Sequence, residues 1–266
     1  MKRILTALVA LPILFFTVWS PSPYYFIVLA AAAVTLALGE FYDLAGKTGC
    51  HSYRVAGHAA ALCVLACFVA ARLDWIATVL ALLTCLTLAL SLFSRREMNT
   101  AMGDVSATVL GVVYVAFLAG FLIGVRMIQD QGIASRLLTA FFLMVMMADT
   151  GAYYAGRAMG RHKLAPRISP GKTIEGLIGG LVFAAAAGPL CVLTFFTELP
   201  LAHSIILGAS IGVVGPVGDL AESLLKRGAG VKDSSGLLPG HGGVLDRLDS
   251  ILFCAPLIYF YARFFA

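Results

Sequence analysis

Charge is scarce in this 266-residue chain: Asp, Glu, Lys and Arg make up 12% of it, about half the share usual in soluble domains. So little polarity cannot cover the surface of a water-soluble fold. Paired cysteines are also missing. Cys50, Cys63, Cys67, Cys85, Cys191 and Cys254 show no metal-ligand spacing and lie mostly within apolar runs, which excludes a zinc ribbon or a disulfide scaffold and leaves buried thiols in helices as the reading. Internal repeats, low-complexity tracts and a polar appendage are absent too, so the expectation is one membrane-embedded domain over residues 1–266, with helices up to about residue 137 as scaffold and residues 138–266 carrying the chemistry.

What is abundant is apolar sequence: 60% of the residues are hydrophobic and the mean hydropathy is +0.93. A helix needs on the order of 20 residues to cross a hydrocarbon core of about 30 Å. About nine runs approach that length, at residues 5–18, 24–45, 56–71, 75–93, 107–127, 138–158, 174–196, 201–217 and 250–264. The expected fold is therefore all-α, a polytopic integral membrane protein. Lys2 and Arg3 ahead of the first run resemble a secretory leader, but Trp19, Pro21, Pro23 and Tyr24 spoil a small-residue cleavage site, so the run is read as a retained first helix.

Cytoplasmic loops keep the excess of Lys and Arg. Nine crossings starting inside put Lys2, Arg3, Lys47, Arg54, Arg95, Arg96, Arg157, Arg161, Lys163, Arg167, Lys172, Lys226, Arg227, Lys232 and Arg247 on the cytoplasmic side, and only Arg72, Arg126, Arg136 and Arg263 outside. The third run is the weakest, and losing it would reverse everything after it. The net charge of +5 thus sits in cytoplasmic loops, which suits anionic lipid headgroups and phosphates better than nucleic acid.

The 14 acidic residues fall into two sets. Glu40, Asp43, Asp74, Glu97, Asp104, Asp130 and Glu198 sit at span ends or in short loops, where charge reaches water cheaply. Of the other seven, Asp149 and Asp219 fall within or directly after apolar runs, where an ionisable group costs at least roughly 2.5 kcal/mol and asks for a partner or a task.

Residues 219–250 read DLAESLLKRGAGVKDSSGLLPGHGGVLDRLDS. Asp219, Glu222, Ser223 and Lys226 stand at i, i+3, i+4 and i+7, one stripe of a helix. Read alone, that stripe is equally a solvated face with an internal salt bridge. Six glycines and Pro239 then lie between Arg227 and Val244, which ends the helix and opens a loop whose backbone amides should lie bare. Lys232, Asp233, Ser234, Ser235 and His241 are strung along it, and helical spacing returns with Asp246 and Asp249. Bare amides with Lys and Arg provide what a polyphosphate needs. Two carboxylate pairs flanking them suit Mg²⁺, which takes a few carboxylate oxygens plus phosphates and waters; zinc fits poorly, with one His and no Cys. For His241 a phosphate or base role and a loop-structuring hydrogen bond stand open alike.

A second polar block, residues 149–176, gathers Arg157, Arg161, Lys163, Arg167 and Lys172, and its SPGKT is read as a turn before the next span. It is not a nucleotide P-loop, because Pro166 occupies the first glycine position and no strand is expected ahead of it. A positive-inside anchor and a phosphate clamp both remain open for it.

The first block resembles the phosphatidate cytidylyltransferases, or CDP-diacylglycerol synthases. Their pattern S-x-x-K-R-x-x-x-x-K-D-x-x-x-x-L-P-G-H-G-G-x-x-D-R-x-D is met by Ser223, Lys226, Arg227, Lys232, Asp233, Leu238, Pro239, Gly240, His241, Gly242, Gly243, Asp246, Arg247 and Asp249 without departure. The likeness extends through Gly218, Asp219 and Glu222, and through Asp149, Gly156, Gly160, Ser169, Pro170, Lys172, Glu175 and Gly176; the first five spans carry nothing diagnostic. The resemblance implies an enzyme that makes CDP-diacylglycerol and pyrophosphate from CTP and phosphatidic acid, requires Mg²⁺, forms a homodimer and resides in the inner (plasma) membrane. It would be multi-pass, with its site facing the cytoplasm where membrane lipid meets soluble nucleotide.

That chemistry assigns Asp219 and Asp246 as metal ligands with Asp249 and Glu222 in support. It assigns Lys226, Arg227, Lys232 and Arg247 to phosphate oxygens, alongside Asp233, His241, Ser223, Gly242 and Gly243. Lys172 and Ser169 would clamp a phosphate from the second block, and Asp149 would line the pocket. A transporter would explain the buried acids as an ion relay but not the loop rich in Gly, Lys and Arg. A CDP-alcohol phosphotransferase lacks its motif, since Thr150 follows Asp149 and Ser250 stands four residues after Asp246.

Overall fold

Backbone amides and carbonyls inside a bilayer have no water to bond, so a long apolar run is stable there as a helix that satisfies them internally. The computed structural model describes residues 2–237, 240 and 242–265, with side chains from Leu8 onward, and each expected span falls on a helix. These are α1 (Lys2–Trp19), α2 (Tyr24–Lys47), α3 (Arg54–Val69), α4 (Asp74–Leu92), α5 (Ala101–Gly111), α6 (Leu118–Arg126), α7 (Gln131–Met159), α8 (Ile174–Thr194), α9 (Leu201–Gly228) and α10 (Leu245–Phe265). A π-helical stretch, Val112–Phe117, joins α5 to α6, so that Met98–Arg126 runs as one apolar rod. Among the described residues seven helices are long and apolar enough to cross a membrane: α2, α4, the Met98–Arg126 rod, α7, α8, α9 and α10. The other two expected spans fall on the shorter apolar helices Leu8–Trp19 and Arg54–Val69. Exposed Leu82, Val182, Leu193 and Ile206 stud the outer faces, as suits a polytopic membrane protein whose solvent is lipid.

The helices form two compact units, one of residues up to Met127 with Leu225–Arg247, the other of Ile128–Leu224 with Leu248–Ala266. In the first, Val34, Leu38, Phe41, Val64, Phe68, Val112 and Val115 make the core. Arg126 is fully buried there, its Nη2 donating to the Ser20 carbonyl. In the second, α7 and α8 lie against each other through small residues. A Cβ at Gly179 would come 2.2 Å from the Ala155 Cβ and 2.9 Å from the Gly151 carbonyl, and one at Gly180 would come 2.8 Å from the Ala148 carbonyl. Without a hydrophobic drive between helices in lipid, such backbone approach is what holds them together.

Several expectations change. The chain is not purely helical: β1 (Lys163–Ala165) and β2 (Ser169–Thr173) pair antiparallel. SPGKT is thus a strand rather than a turn, the turn falls at Pro166–Ile168, and a strand does precede it. Thr173 then caps α8, accepting from the Gly176 amide. Glu40 and Asp104 are buried rather than water-exposed; Asp104 accepts from the His51 amide at 2.6 Å and pairs with Arg96. Of the six cysteines, all free, only Cys191 and Cys254 are buried; Cys63 and Cys85 face outward, and Cys50 lies outside the helices.

Gly179→Val should cost about 1–3 kcal/mol through overpacking, read as a lower unfolding temperature in detergent micelles, while the same change at Gly171, where a Cβ meets nothing within 4 Å, should not lower it.

Candidate active site

The first polar cluster grows from the end of α9, the loop after it and the start of α10. Glycines end the helix as expected: Gly230 takes a positive φ of 69°, and the Gly230 and Val231 amides fold back onto the Arg227 and Lys226 carbonyls. The buried Lys226 ammonium then reaches Asp246 Oδ1 at 2.6 Å. The same carboxylate accepts from the Ser234 amide at 3.2 and 3.1 Å and from the Gly243 amide at 2.7 Å. Both oxygens are thereby engaged by two donors each.

A carboxylate from a distant part of the chain takes up the rest of the loop. Glu40, from α2, accepts from Ser235 Oγ at 2.6 Å and the Val244 amide at 3.0 Å through Oε1. Through Oε2 it accepts from Ser234 Oγ at 3.0 Å and the Leu245 amide at 2.8 Å. Sequence reading missed this residue, having taken Glu40 for a topology marker at a span end. The loop's close turns depend on missing side chains. Gly242 has φ +81° and a Cβ there would lie 2.4 Å from Asp246 Oδ2; one at Gly243 would lie 2.0 Å from Ser234 Oγ and 2.4 Å from Glu40 Oε2.

The expectation of bare amides is therefore corrected. The amides of Ser234, Gly243, Val244 and Leu245 are spent on Asp246 and Glu40, and that of Leu237 on Ser235 Oγ, because buried N–H groups must find an acceptor. Lys232, Asp233 and Arg247 are exposed, and Arg227 is exposed with its Nη1 donating to the Val231 carbonyl. Leu238, Pro239 and His241 lie outside the described residues.

The second cluster belongs to the other unit. Lys172, raised on β2, places its ammonium 2.7 Å from Asp219 Oδ2 in an ion pair. Asp219 Oδ1 accepts from Ser223 Oγ at 3.3 Å, one turn on. The two polar blocks thus meet here. Gly218 lets α9 run close to α10: a Cβ there would come 2.5 Å from the Asp249 carbonyl oxygen. Asp249 Oδ1 accepts from the Ser250 amide, Glu222 is fully buried, and Asp149 is exposed on α7. Glu175 organises the hairpin's approach to α8, accepting from the Arg161 and His162 amides and from His162 Nδ1 at 2.6 Å. Ser169 pairs with Ala165 in the hairpin.

Among the described residues no three Asp, Glu, His or Cys side chains converge into a metal cage. What the described residues present instead are two lysine–carboxylate pairs, an arrangement suited to anions that bring their own counter-ions.

Several known proteins are similar to this chain. A phosphatidate cytidylyltransferase of Bacillus subtilis (strain 168) is 37% identical over 166 residues, 61% of this chain and 60% of the relative. One of Haemophilus influenzae is 47% identical over 130 residues, 47% and 45% of the two chains. One of Staphylococcus aureus (strain COL) is 52% identical over 119 residues, 44% and 45%. The chain spans about half the length of the curated relatives it matches. The family description is broader in reach, matching residues 1–265 and so taking in the helix of Glu40 together with the glycine loop; the chain belongs to the cytidylyltransferase family.

Proposed function

We propose that this chain is a phosphatidate cytidylyltransferase, transferring CMP from CTP to phosphatidic acid to give CDP-diacylglycerol and pyrophosphate. The observation that carries this reading is the pairing of signature residues, Lys172 with Asp219 in one unit and Lys226 with Asp246 in the other, each a cation beside a carboxylate of the kind that phosphates and a divalent cation engage. A phosphate oxygen of phosphatidate attacks the α-phosphorus of CTP in line; an O–P bond forms, the bond from the α-phosphorus to the bridging oxygen breaks, and pyrophosphate leaves with the electron pair. No protein nucleophile is required, so the chain's work is positioning and charge neutralisation.

Mg²⁺ is tested by its donor set. It needs only one or two carboxylates, the remaining positions going to water and phosphate, so a missing three-residue cage does not count against it. Asp219 fits: its side chain keeps 35% of its surface open, and the contacts of its oxygens are one lysine and one hydroxyl. Asp246, at 5%, fits once Lys226 turns from it. We assign both as ligands, with Glu222 and Asp249 in support; the metal when bound neutralises charge on the phosphates. Lys172, Lys226, Arg227, Lys232 and Arg247 hold triphosphate and phosphatidate oxygens. Ser169, Ser223, Gly242 and Gly243 shape the binding surface, Asp233 and His241 act from the loop, and Asp149 lines the approach.

The balance of Lys and Arg favours nine crossings with the N-terminus and the site on the cytoplasmic face of the inner (plasma) membrane, where CTP meets a lipid that keeps its acyl chains in the bilayer. The family resemblance adds a homodimer.

Purified protein given CTP, phosphatidate and Mg²⁺ should release pyrophosphate, and Asp219→Asn should lower kcat by about 10²-fold or more; no pyrophosphate from the parent protein, or full turnover by the variant, overturns the assignment. Lys172→Ala should lower kcat/KM for CTP about tenfold, a loss of about 1.4 kcal/mol, and Lys172→Arg should recover part of it. An unchanged kcat/KM in Lys172→Ala removes that lysine from the site.

A further inference from the structure

We propose that Glu40 is the positioning residue of the signature loop, a carboxylate on α2 that ties the Ser234–Ser235 stretch to the start of α10 and thereby sets the groups on either side of that segment. The loop's catalytic importance rests on the function proposed above; the fixing itself rests on geometry alone. An ionised carboxylate offers about four lone-pair sites, and Glu40 has a donor on each: Ser235 Oγ and the Val244 amide on Oε1, Ser234 Oγ and the Leu245 amide on Oε2, all between 2.6 and 3.0 Å. The two hydroxyls belong to the loop's middle and the two amides to its junction with α10, so one side chain closes the span between them. Val244 and Leu245 also open α10, where the helix dipole favours negative charge.

Glu40 and Asp246 act on the same segment. Ser234 donates its amide to Asp246 and its hydroxyl to Glu40, and the successive amides of Gly243, Val244 and Leu245 go to Asp246, Glu40 and Glu40. A shift of one carboxylate therefore moves the donors of the other. Lys232 and Asp233 stand directly before the held segment, Asp246 and Arg247 directly after it, so their spacing follows from Glu40. The residue touches no reacting group in this scheme; it acts through the loop. An amide would not replace it, because a Gln side chain has a single oxygen and would turn its NH₂ toward either the Val244 or the Leu245 amide, a group that can only donate.

Three variants test this in the full chain in detergent. Glu40→Gln should lower kcat by about 10²-fold, the scale of a misplacement of about 1 Å. It should also speed hydrogen exchange at the Ser234, Val244 and Leu245 amides while leaving α7 and α8 as protected as in the parent. Glu40→Asp, which keeps the charge, should recover part of both. Should Glu40→Gln fail to fold, Ser234→Ala with Ser235→Ala removes two of the four donors without touching α2 and should give the same local loss of protection with a smaller drop in kcat. Parent-like exchange at these amides, in Glu40→Gln or in the double variant, overturns the proposal. So does equal loss of activity in Glu40→Gln and Glu40→Asp accompanied by loss of protection throughout the helices. If the parent protein releases no pyrophosphate, the reaction is misassigned, and the exchange pattern still decides whether Glu40 holds the loop.

Discussion

Negative charge buried in an apolar protein must be met by donors, and meeting it organises the polar part of this molecule. An isolated ionised carboxylate moved into a low-dielectric interior costs tens of kcal/mol in the idealised limit, which is why such groups occur paired or hydrogen-bonded. Asp246 and Glu40 are both buried, and between them they collect a lysine ammonium, two hydroxyls and four backbone amides. Among its described residues the loop has no helix or strand with which to satisfy its own amides, so the carboxylates and the loop solve each other's problem. Removing either side leaves the other with unpaired buried polar groups, each worth about 1–3 kcal/mol or more where charge is involved.

That mutual dependence also explains the glycines of the signature. Gly242 and Gly243 were first read as chain-breakers that expose backbone, but both stand where a Cβ would fall on a carboxylate oxygen. Their smallness makes room for acceptors, and the positive φ at Gly242 turns the chain toward them. Small residues serve a related end in the other unit. There Gly151, Gly179 and Gly180 bring the backbones of α7 and α8 together, and α7 leads into the hairpin that raises Lys172 to Asp219. In both places a missing side chain is what lets a charged one take its position.

Much of this was legible in the sequence. Apolar run length forecasts the helices because a lipid-solvated backbone leaves few other options. The i, i+3, i+4, i+7 stripe from Asp219 to Lys226 lies on α9 as its spacing required, and the loop opens and closes close to where its glycines begin and end. Two things were not legible. The hairpin of Lys163–Thr173 is too short for a period-two signal and contains Pro166 and Pro170, so its strands look like turn sequence. Glu40 is separated from its partners by 194 to 205 residues, and nothing local distinguishes a Glu at the end of an apolar run that reaches water from one that bends into the protein. Asp104 failed for the same reason, its partner His51 lying 53 residues away.

The two lysine–carboxylate pairs differ in a way that bears on the proposed chemistry. Asp246 has both oxygens committed to fixed backbone donors as well as to Lys226, and its side chain is almost closed off; Asp219 has a lysine, a single hydroxyl and an open third of its surface. Acceptor capacity for a hard cation is therefore greater at Asp219, whereas both Asp246 oxygens carry backbone donors that hold the loop. A lysine released from its carboxylate in a poorly solvated site would be costly alone, but a phosphate arriving with its own counter-ion replaces the lost partner on each side. The exchange conserves the number of ion pairs, and so each pair can stand charged before any anion enters. On this argument the pairs in the substrate-free protein hold the geometry ready, and Asp246, tied to the loop by backbone donors, is the carboxylate whose position Glu40 governs.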